Sequence, residues 1–220
     1  MKAILFSLLA GLLAVPSAFA DWIMIQKSTT DGQVQEVKIQ IKGDKTRLDA
    51  GKQMTLIANG GDSGGIVMIM HAQKMKMKLD PEKMKSMMAM AAPALGGDKP
   101  AAKPAATGQK EKVGDYECEI YSWSGPIGSG KFWVAADFKG YKEMAAAHDK
   151  MMQAMGNPAA AFAPQAADFP GMVIKSEMTV MGKSNISELV SAKEENVDDS
   201  VFTIPEDYNE MKIPGLPAGK

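Results

Sequence analysis

The chain has 220 residues, a formal net charge of −1 and 45% hydrophobic residues. This balance supplies no basic surface for nucleic acid or for an anionic membrane, so we expect neither as a partner. The single cysteine, Cys118, cannot close an intrachain disulfide. We expect Cys118 to be a small buried residue, with pairing between two chains as the alternative. The 19 methionines are the feature of the composition that needs an explanation.

Residues 1–20 have the pattern of a secretory signal peptide. Lys2 supplies the positive charge, an apolar run follows to Val15, and a small-x-small cleavage motif ends at Ala20. The run is too short to span a membrane, and no later run is long enough. The pattern predicts export to the periplasm and one domain over residues 21–220.

Alternating apolar residues in the first third predict antiparallel strands joined by tight turns. In the stretch VQEVKIQIK, Val37, Ile39 and Ile41 share one face, and polar residues occupy the other. A short strand that ends at Leu48 is predicted next. Three further strands follow it: Met54–Ala58, Ile66–His71 and the stretch KMKMKLD, in which Met75, Met77 and Leu79 point inward.

The segment between two of these strands reads GGDSGG, and residues 61–65 match the string around the nucleophile of trypsin-like serine proteases. Such an enzyme needs a histidine base before the serine in the chain. Both histidines, His71 and His148, follow Ser63. Because glycine, aspartate and serine are typical turn residues, the string predicts a hairpin turn.

Two methionine-rich segments have helical periodicity. Residues 81–91 follow a candidate N-cap, Asp80, and residues 141–155 form the second predicted helix. Each helix precedes an Ala/Pro-rich stretch, at about 92–110 and 157–170, which we expect to be a flexible insertion. Methionines recur at helical spacing in both segments: Met84, Met87 and Met88 in the first, and Met144, Met151 and Met155 in the second.

Four more strands complete the predicted fold: Val113–Trp123, Lys131–Ala136, Met172–Met181 and Ser184–Lys193. A short closing strand and a docked tail are expected after them. The fold class is therefore α+β and mainly antiparallel β, with two methionine-rich helices packed against one curved sheet.

The methionines have three possible roles. They can fill the core, because the unbranched thioether side chain adapts to irregular gaps, or they can line an adaptable apolar binding surface. They can also bind Cu(I), since thioether sulfur is a soft ligand, and the best cluster for that is Met84, Met87 and Met88. No set of nucleophile and base and no nucleotide-binding motif is present, so we expect neither enzymatic activity nor a cofactor.

Five stretches carry a resemblance to a known family: IKGDKTRLD (41–49), KMKMKLD (74–80), KVGDYECEIYSW (112–123), KFWVAADF (131–138) and VDDSVFTIPEDYNEM (197–211). In this order the chain resembles a family of exported bacterial proteins described as a domain of unknown function. That family is related to the LolA/LolB-like periplasmic lipoprotein carriers. The resemblance implies a half-open β-barrel around a concave apolar surface, with the helices as plug or lid.

The sequence thus predicts a non-enzymatic periplasmic binding or carrier protein for a lipid or an acylated protein. The alternatives are a Cu(I)-binding protein and a structural or protein-interaction module of the cell envelope. The predicted pocket residues are Met68, Met70, Met75 and Met77 from the strands and Met84, Met87, Met88, Met144, Met151 and Met155 from the helices.

Overall fold

The structure is a computed structural model that describes residues 20–59, 65–80, 102–154 and 163–211, together with positions 82, 83, 86 and 90. For residues 151–154 it describes the backbone alone. The predicted signal peptide, except Ala20, and most of the GGDSGG string lie outside these residues.

Twelve strands in the described part of the chain form one sheet. In sheet order they are β12-β6-β5-β4-β3-β2-β1-β11-β10-β9-β8-β7. All neighbouring pairs are antiparallel except β12 and β6. Their bounds are β1 (Trp22–Thr30), β2 (Gln33–Lys42), β3 (Lys45–Ala50), β4 (Met54–Ala58), β5 (Ile66–Met70), β6 (Met75–Leu79), β7 (Ala105–Val113), β8 (Tyr116–Gly125), β9 (Gly128–Ala135), β10 (Met172–Val180), β11 (Lys183–Glu194) and β12 (Asn209–Glu210).

The sheet is open, because β12 and β7 are its two edges and do not pair with each other. The prediction of a mainly antiparallel, curved and unclosed sheet is confirmed. β4 pairs antiparallel with β5, and the turn predicted between them at the GGDSGG string lies outside the described residues except for Gly65.

Of the two predicted helices, the structure supports one, α1 (Tyr141–Ala154). The prediction of two methionine-rich helices is not supported, because too few positions of residues 81–91 are described to define an element. The Asp80 carboxylate does accept the backbone N–H groups of Glu82 and Lys83, at 3.0 and 3.2 Å, as an N-cap would. Among the described residues, no helix combines the length and the apolarity needed to cross a membrane.

The helix α1 packs on the sheet through one narrow stripe. Met144 and Ala147 are buried, and Tyr141 is half-buried. His148 follows Met144 by four residues, a spacing that predicts it on the same stripe, but it is exposed. The Tyr141 hydroxyl donates to the carbonyl oxygens of Ala166 and Phe169, at 3.0 and 2.7 Å, so the helix is also tied to the segment that follows it.

Parts of both predicted insertions have defined structure. Residues 105–110 belong to the edge strand β7, in which only Val113 is buried. Because an edge strand that is exposed on both faces needs no apolar alternation, the sequence pattern does not reveal it. In the second insertion, a 3₁₀ turn spans Ala166–Asp168, and Phe169 is buried.

The two faces of the sheet have separate cores. We call the side that packs against α1 the helix face. Its main cluster joins Trp22 and Met24 of β1 to Trp133 of β9 and Met144 of α1. Ile23 lies between Trp22 and Met24, so its side chain points to the other side, which we call the opposite face.

The opposite face has two covers. Phe169, from the segment after α1, packs on Trp123, Phe132 and Val134 of β8 and β9. Residues 195–211, which we call the C-terminal segment, cover β4 and β5. There Val197 and Phe202 pack against Ile57 and Ile69.

Candidate functional site

The strands β1 to β6 pair without a register shift, so cross-strand partners share a face. A first row on the helix face runs from Trp22 to Leu79, and its members are buried. The next two rows are what we call the methionine rows. They contain Ile39, Leu48, Leu56, Met68 and Met77 in one, and Val37, Ala50, Met54, Met70 and Met75 in the other.

The methionine rows form one continuous apolar surface of half-buried side chains, with Ala50 the one buried member. The pairing brings together the four strand methionines that the sequence singled out, since Met68 faces Met77 and Met70 faces Met75. Met54, directly opposite Met70, was missed as a candidate. The predicted antiparallel pairing of the Met54–Ala58 strand with the strand after it indicates that Met54 lies near the other strand methionines.

Met144 of the helix does not belong to this surface. Met144 is 3% exposed and belongs to the main core with Trp22 and Trp133, so it packs the fold and is closed to a ligand. Met151 lies in α1, but its side chain is not among those described. The other predicted pocket residues lie outside the described part of the chain: Met84, Met87, Met88 and Met155.

A chain of hydrogen bonds lies on the opposite face of the same strands. The Arg47 guanidinium donates to both oxygens of Asp49, at 2.8 to 3.0 Å. The Thr55 hydroxyl donates to Asp49 Oδ1 at 2.6 Å. His71 Nε2 lies 2.8 Å from Thr55 Oγ1, and His71 Nδ1 lies 3.0 Å from the Tyr208 hydroxyl.

One arrangement of protons satisfies every member of this chain. Because Thr55 donates to Asp49, its oxygen accepts the Nε2–H of His71, and in that tautomer His71 Nδ1 accepts the Tyr208 O–H. Thr55 is 1% exposed, so it is closed to a substrate and cannot act as a nucleophile. These hydrogen bonds instead hold the C-terminal segment on the sheet, as does the 2.6 Å hydrogen bond from Arg47 to the Val201 carbonyl.

The ionised form of Asp49 is favoured by its partners. Burial raises the pKa of this carboxyl, but the hydrogen bonds from Arg47 and Thr55 outweigh that effect and leave the pKa below its ordinary value. Asp49 is therefore the charged acceptor in the hydrogen bonds that hold the C-terminal segment on the sheet.

A polar cleft of about 520 Å³ opens at the end of β1 and β2. We call it the rim cleft. Its lining residues are Ser28, Thr30, Asp31, Gln33, Val34, Gln35, Gly51, Lys52 and Gln53. Asn185 Nδ2 donates to Thr30 Oγ1 at 2.8 Å and to Ser28 Oγ at 3.2 Å, so the two hydroxyl groups are held in place.

The described residues contain no group of three or more His, Cys, Asp or Glu side chains placed to hold a metal ion. Cys118 is 1% exposed and lies in the main core, as predicted for a small buried residue. Its burial raises the pKa of the thiol, so the neutral form is favoured.

Residues 21–208 match the model of a family described as a domain of unknown function, DUF4412. The chain belongs to the DUF4412 family. This match confirms the predicted membership of such a family. No curated protein matches the sequence of this DUF4412 chain.

Three solved structures similar to the DUF4412 chain share 8 to 12% sequence identity with it. PNGF-II has a TM-score of 0.43 at 12% identity; the match covers 87% of this chain but only 31% of PNGF-II. The Mycobacterium tuberculosis lipoprotein LppX has a TM-score of 0.42 at 8% identity, with 81% and 89% coverage. A LolA superfamily protein from Nitrosomonas europaea has a TM-score of 0.33 at 8% identity, with 86% and 91% coverage.

Proposed function

We propose that this DUF4412 protein is a non-enzymatic periplasmic binding or carrier protein. Its ligand is an amphiphile whose acyl chain lies on the methionine rows. The observation that carries the proposal is the row of half-buried apolar side chains on the helix face of β2 to β6. The pattern of residues 1–20 supports the periplasmic location.

The composition of this surface suits an acyl chain. Five of its ten members are methionines, whose flexible thioether side chains adapt to ligands of different shape. Contiguous apolar surface that remains open to solvent marks binding sites in many proteins. Each methylene group transferred from water to such a surface contributes about 0.8 kcal/mol, so part of one acyl chain supplies several kcal/mol.

Binding of a fluorescent fatty acid to the delipidated protein tests the proposal. We expect saturable binding, and native mass spectrometry of protein purified from its own periplasm should show a bound lipid. The double variant Met68→Gln/Met77→Gln places two amides in one methionine row, so its Kd should rise at least about tenfold. The matched control is Met181→Gln, because Met181 is 72% exposed in the turn after β10.

The control should bind within about twofold of the unaltered protein. Absence of fatty acid uptake, together with a clean apo mass from the native preparation, would overturn the proposal. Equal binding by the double variant and the control would remove the methionine rows as the site.

A second candidate, Cu(I) binding, is favoured by one observation. Met54, Met70 and Met75 are neighbours across three adjacent strands. The Cβ atoms of such directly opposite residues lie about 5 Å apart. Thioether sulfur is a soft ligand suited to Cu(I). The triple variant Met54→Leu/Met70→Leu/Met75→Leu keeps the surface apolar and removes the sulfur. A Cu(I) site there would lose its affinity, whereas fatty acid binding would persist.

A further inference from the structure

We propose that the rim cleft binds the headgroup of the same ligand, and that this headgroup is uncharged and rich in hydroxyl groups, as in a glycolipid. This inference rests on the proposed function and names the ligand's polar end.

The rim cleft continues the methionine rows along the same strands. On β2, Gln35 is two residues from Val37, and on β1, Ser28 is two residues from Gln26, the partner of Val37. Residues two apart on a strand share a face and lie about 7 Å from each other. On the side of β4, the cleft residue Gln53 directly precedes Met54. The cleft therefore lies beside the β2 end of the methionine rows, where it can receive the polar end of an acyl chain that points toward β2.

The cleft supplies both donors and acceptors. Asn185 occupies one acceptor position on Ser28 and one on Thr30, so both hydroxyl groups keep their O–H free to donate to a ligand. Three amides also line the cleft, from Gln33, Gln35 and Gln53. Within the described structure these amides have no side-chain hydrogen-bond partner, and each can both donate and accept.

The charge of the cleft disfavours an ionic headgroup. Its lining carries one acid and one base, Asp31 and Lys52, so the net charge is zero. Phosphate and carboxylate groups are usually bound by clustered Arg or Lys side chains, and the cleft has a single lysine. Neutral hydroxyl and amide groups instead match the alternating donors and acceptors of a polyol.

The cleft lining contains no aromatic ring, so a headgroup cannot gain affinity by stacking there. The acyl chain on the methionine rows supplies most of the affinity, and the cleft supplies the preference between headgroups. A free sugar is accordingly expected to bind too weakly to detect at millimolar concentration.

Three probes with the same C12 chain test this inference below their micelle concentrations: dodecyl maltoside, dodecylphosphocholine and dodecanoate. We expect the unaltered protein to bind dodecyl maltoside at least about tenfold more tightly than the other two. The variant Thr30→Val/Gln35→Leu removes one hydroxyl and one amide, so the preference should fall below about twofold while dodecanoate binding is unchanged. The control is Glu36→Gln, since Glu36 lies on β2 with its side chain on the opposite face.

Each outcome decides a different point. Equal affinity of the unaltered protein for the three probes overturns the headgroup site but leaves acyl-chain binding intact. A preference for maltoside that survives in the cleft variant places the headgroup elsewhere, which also overturns the inference. Failure of all three probes to bind overturns the headgroup site and the proposed function together.

Discussion

The two halves of the sheet are covered differently, although they share one continuous helix face. Strands β8 to β10 are covered on both faces, by α1 on one and by the Phe169 segment on the other. Strands β4 and β5 are covered on the opposite face by the C-terminal segment, and the methionine rows on their helix face remain half-buried. The comparison separates buried methionines that pack the fold, such as Met144, from half-buried methionines on the sheet surface.

The largest expected effect is the loss of a core methionine. Met144→Ala should lower the free energy of unfolding by about 2–5 kcal/mol, because Met144 is 3% exposed and packs against large side chains. Met68→Ala should cost less than half as much, because Met68 is only half-buried. Urea unfolding of both variants measures the difference. Equal losses would mean that the two halves of the sheet are packed alike.

The next effect concerns the fastening of the C-terminal segment. His71→Ala removes the ring N–H that the buried Thr55 oxygen accepts and the ring nitrogen that accepts the Tyr208 O–H, which should cost about 1–3 kcal/mol. The matched control is Gln73→Ala in the neighbouring turn, which is exposed and should change stability by less than about 0.5 kcal/mol. Limited proteolysis should cleave the C-terminal segment faster in the His71 variant. An unchanged cleavage rate would contradict the fastening role.

A smaller effect should appear at acidic pH. Because the pKa of Asp49 is lowered in the folded protein, its contribution is complete above the ordinary value of about 4 and is lost as pH falls through the lower folded value. For a partly exposed ion pair the contribution is about 1 kcal/mol. Asp49→Asn should therefore flatten the decline of stability below about pH 4. A decline as steep as that of the unaltered protein would assign it to other carboxylates.

The smallest effect is expected from a conservative change in the methionine rows. Met77→Leu keeps the volume and the apolar character, so stability should change by less than about 1.5 kcal/mol and fatty acid affinity by less than about twofold. Thermal unfolding and the fluorescence titration measure the two quantities. A large loss of affinity would show that the sulfur atom itself is needed.

The strands that carry the methionine rows could be predicted from the sequence, because apolar and polar residues alternate cleanly along them. Met54–Ala58 has the predicted bounds, and the inward side of the KMKMKLD stretch is the side found in the structure. The alternation gives the face of each methionine but not its neighbours across the sheet. Met54 was therefore missed, since its place beside Met70 depends on strand pairing.

Elements without periodic signal could not be predicted. β7 has exposed residues on both faces, so its composition is that of a linker. The helical spacing of α1 was read correctly, but the buried stripe follows Met144 and Ala147 and leaves His148 exposed. Spacing alone does not fix how a helix is rotated on a sheet. The rim cleft was also missed, because its glutamines and hydroxyl residues come from two separate turns and their flanking strands.

Methyl NMR of the protein labelled at the methionine methyl groups tests the central claim most directly. Signals are assigned by single Met→Leu variants, and the protein is titrated with dodecyl maltoside. We expect the signals of Met54, Met68, Met70, Met75 and Met77 to shift in a saturable way, while those of Met144 and Met181 stay in place. Absence of shifts in the methionine rows, or equal shifts at Met144 and Met181, would contradict the binding surface.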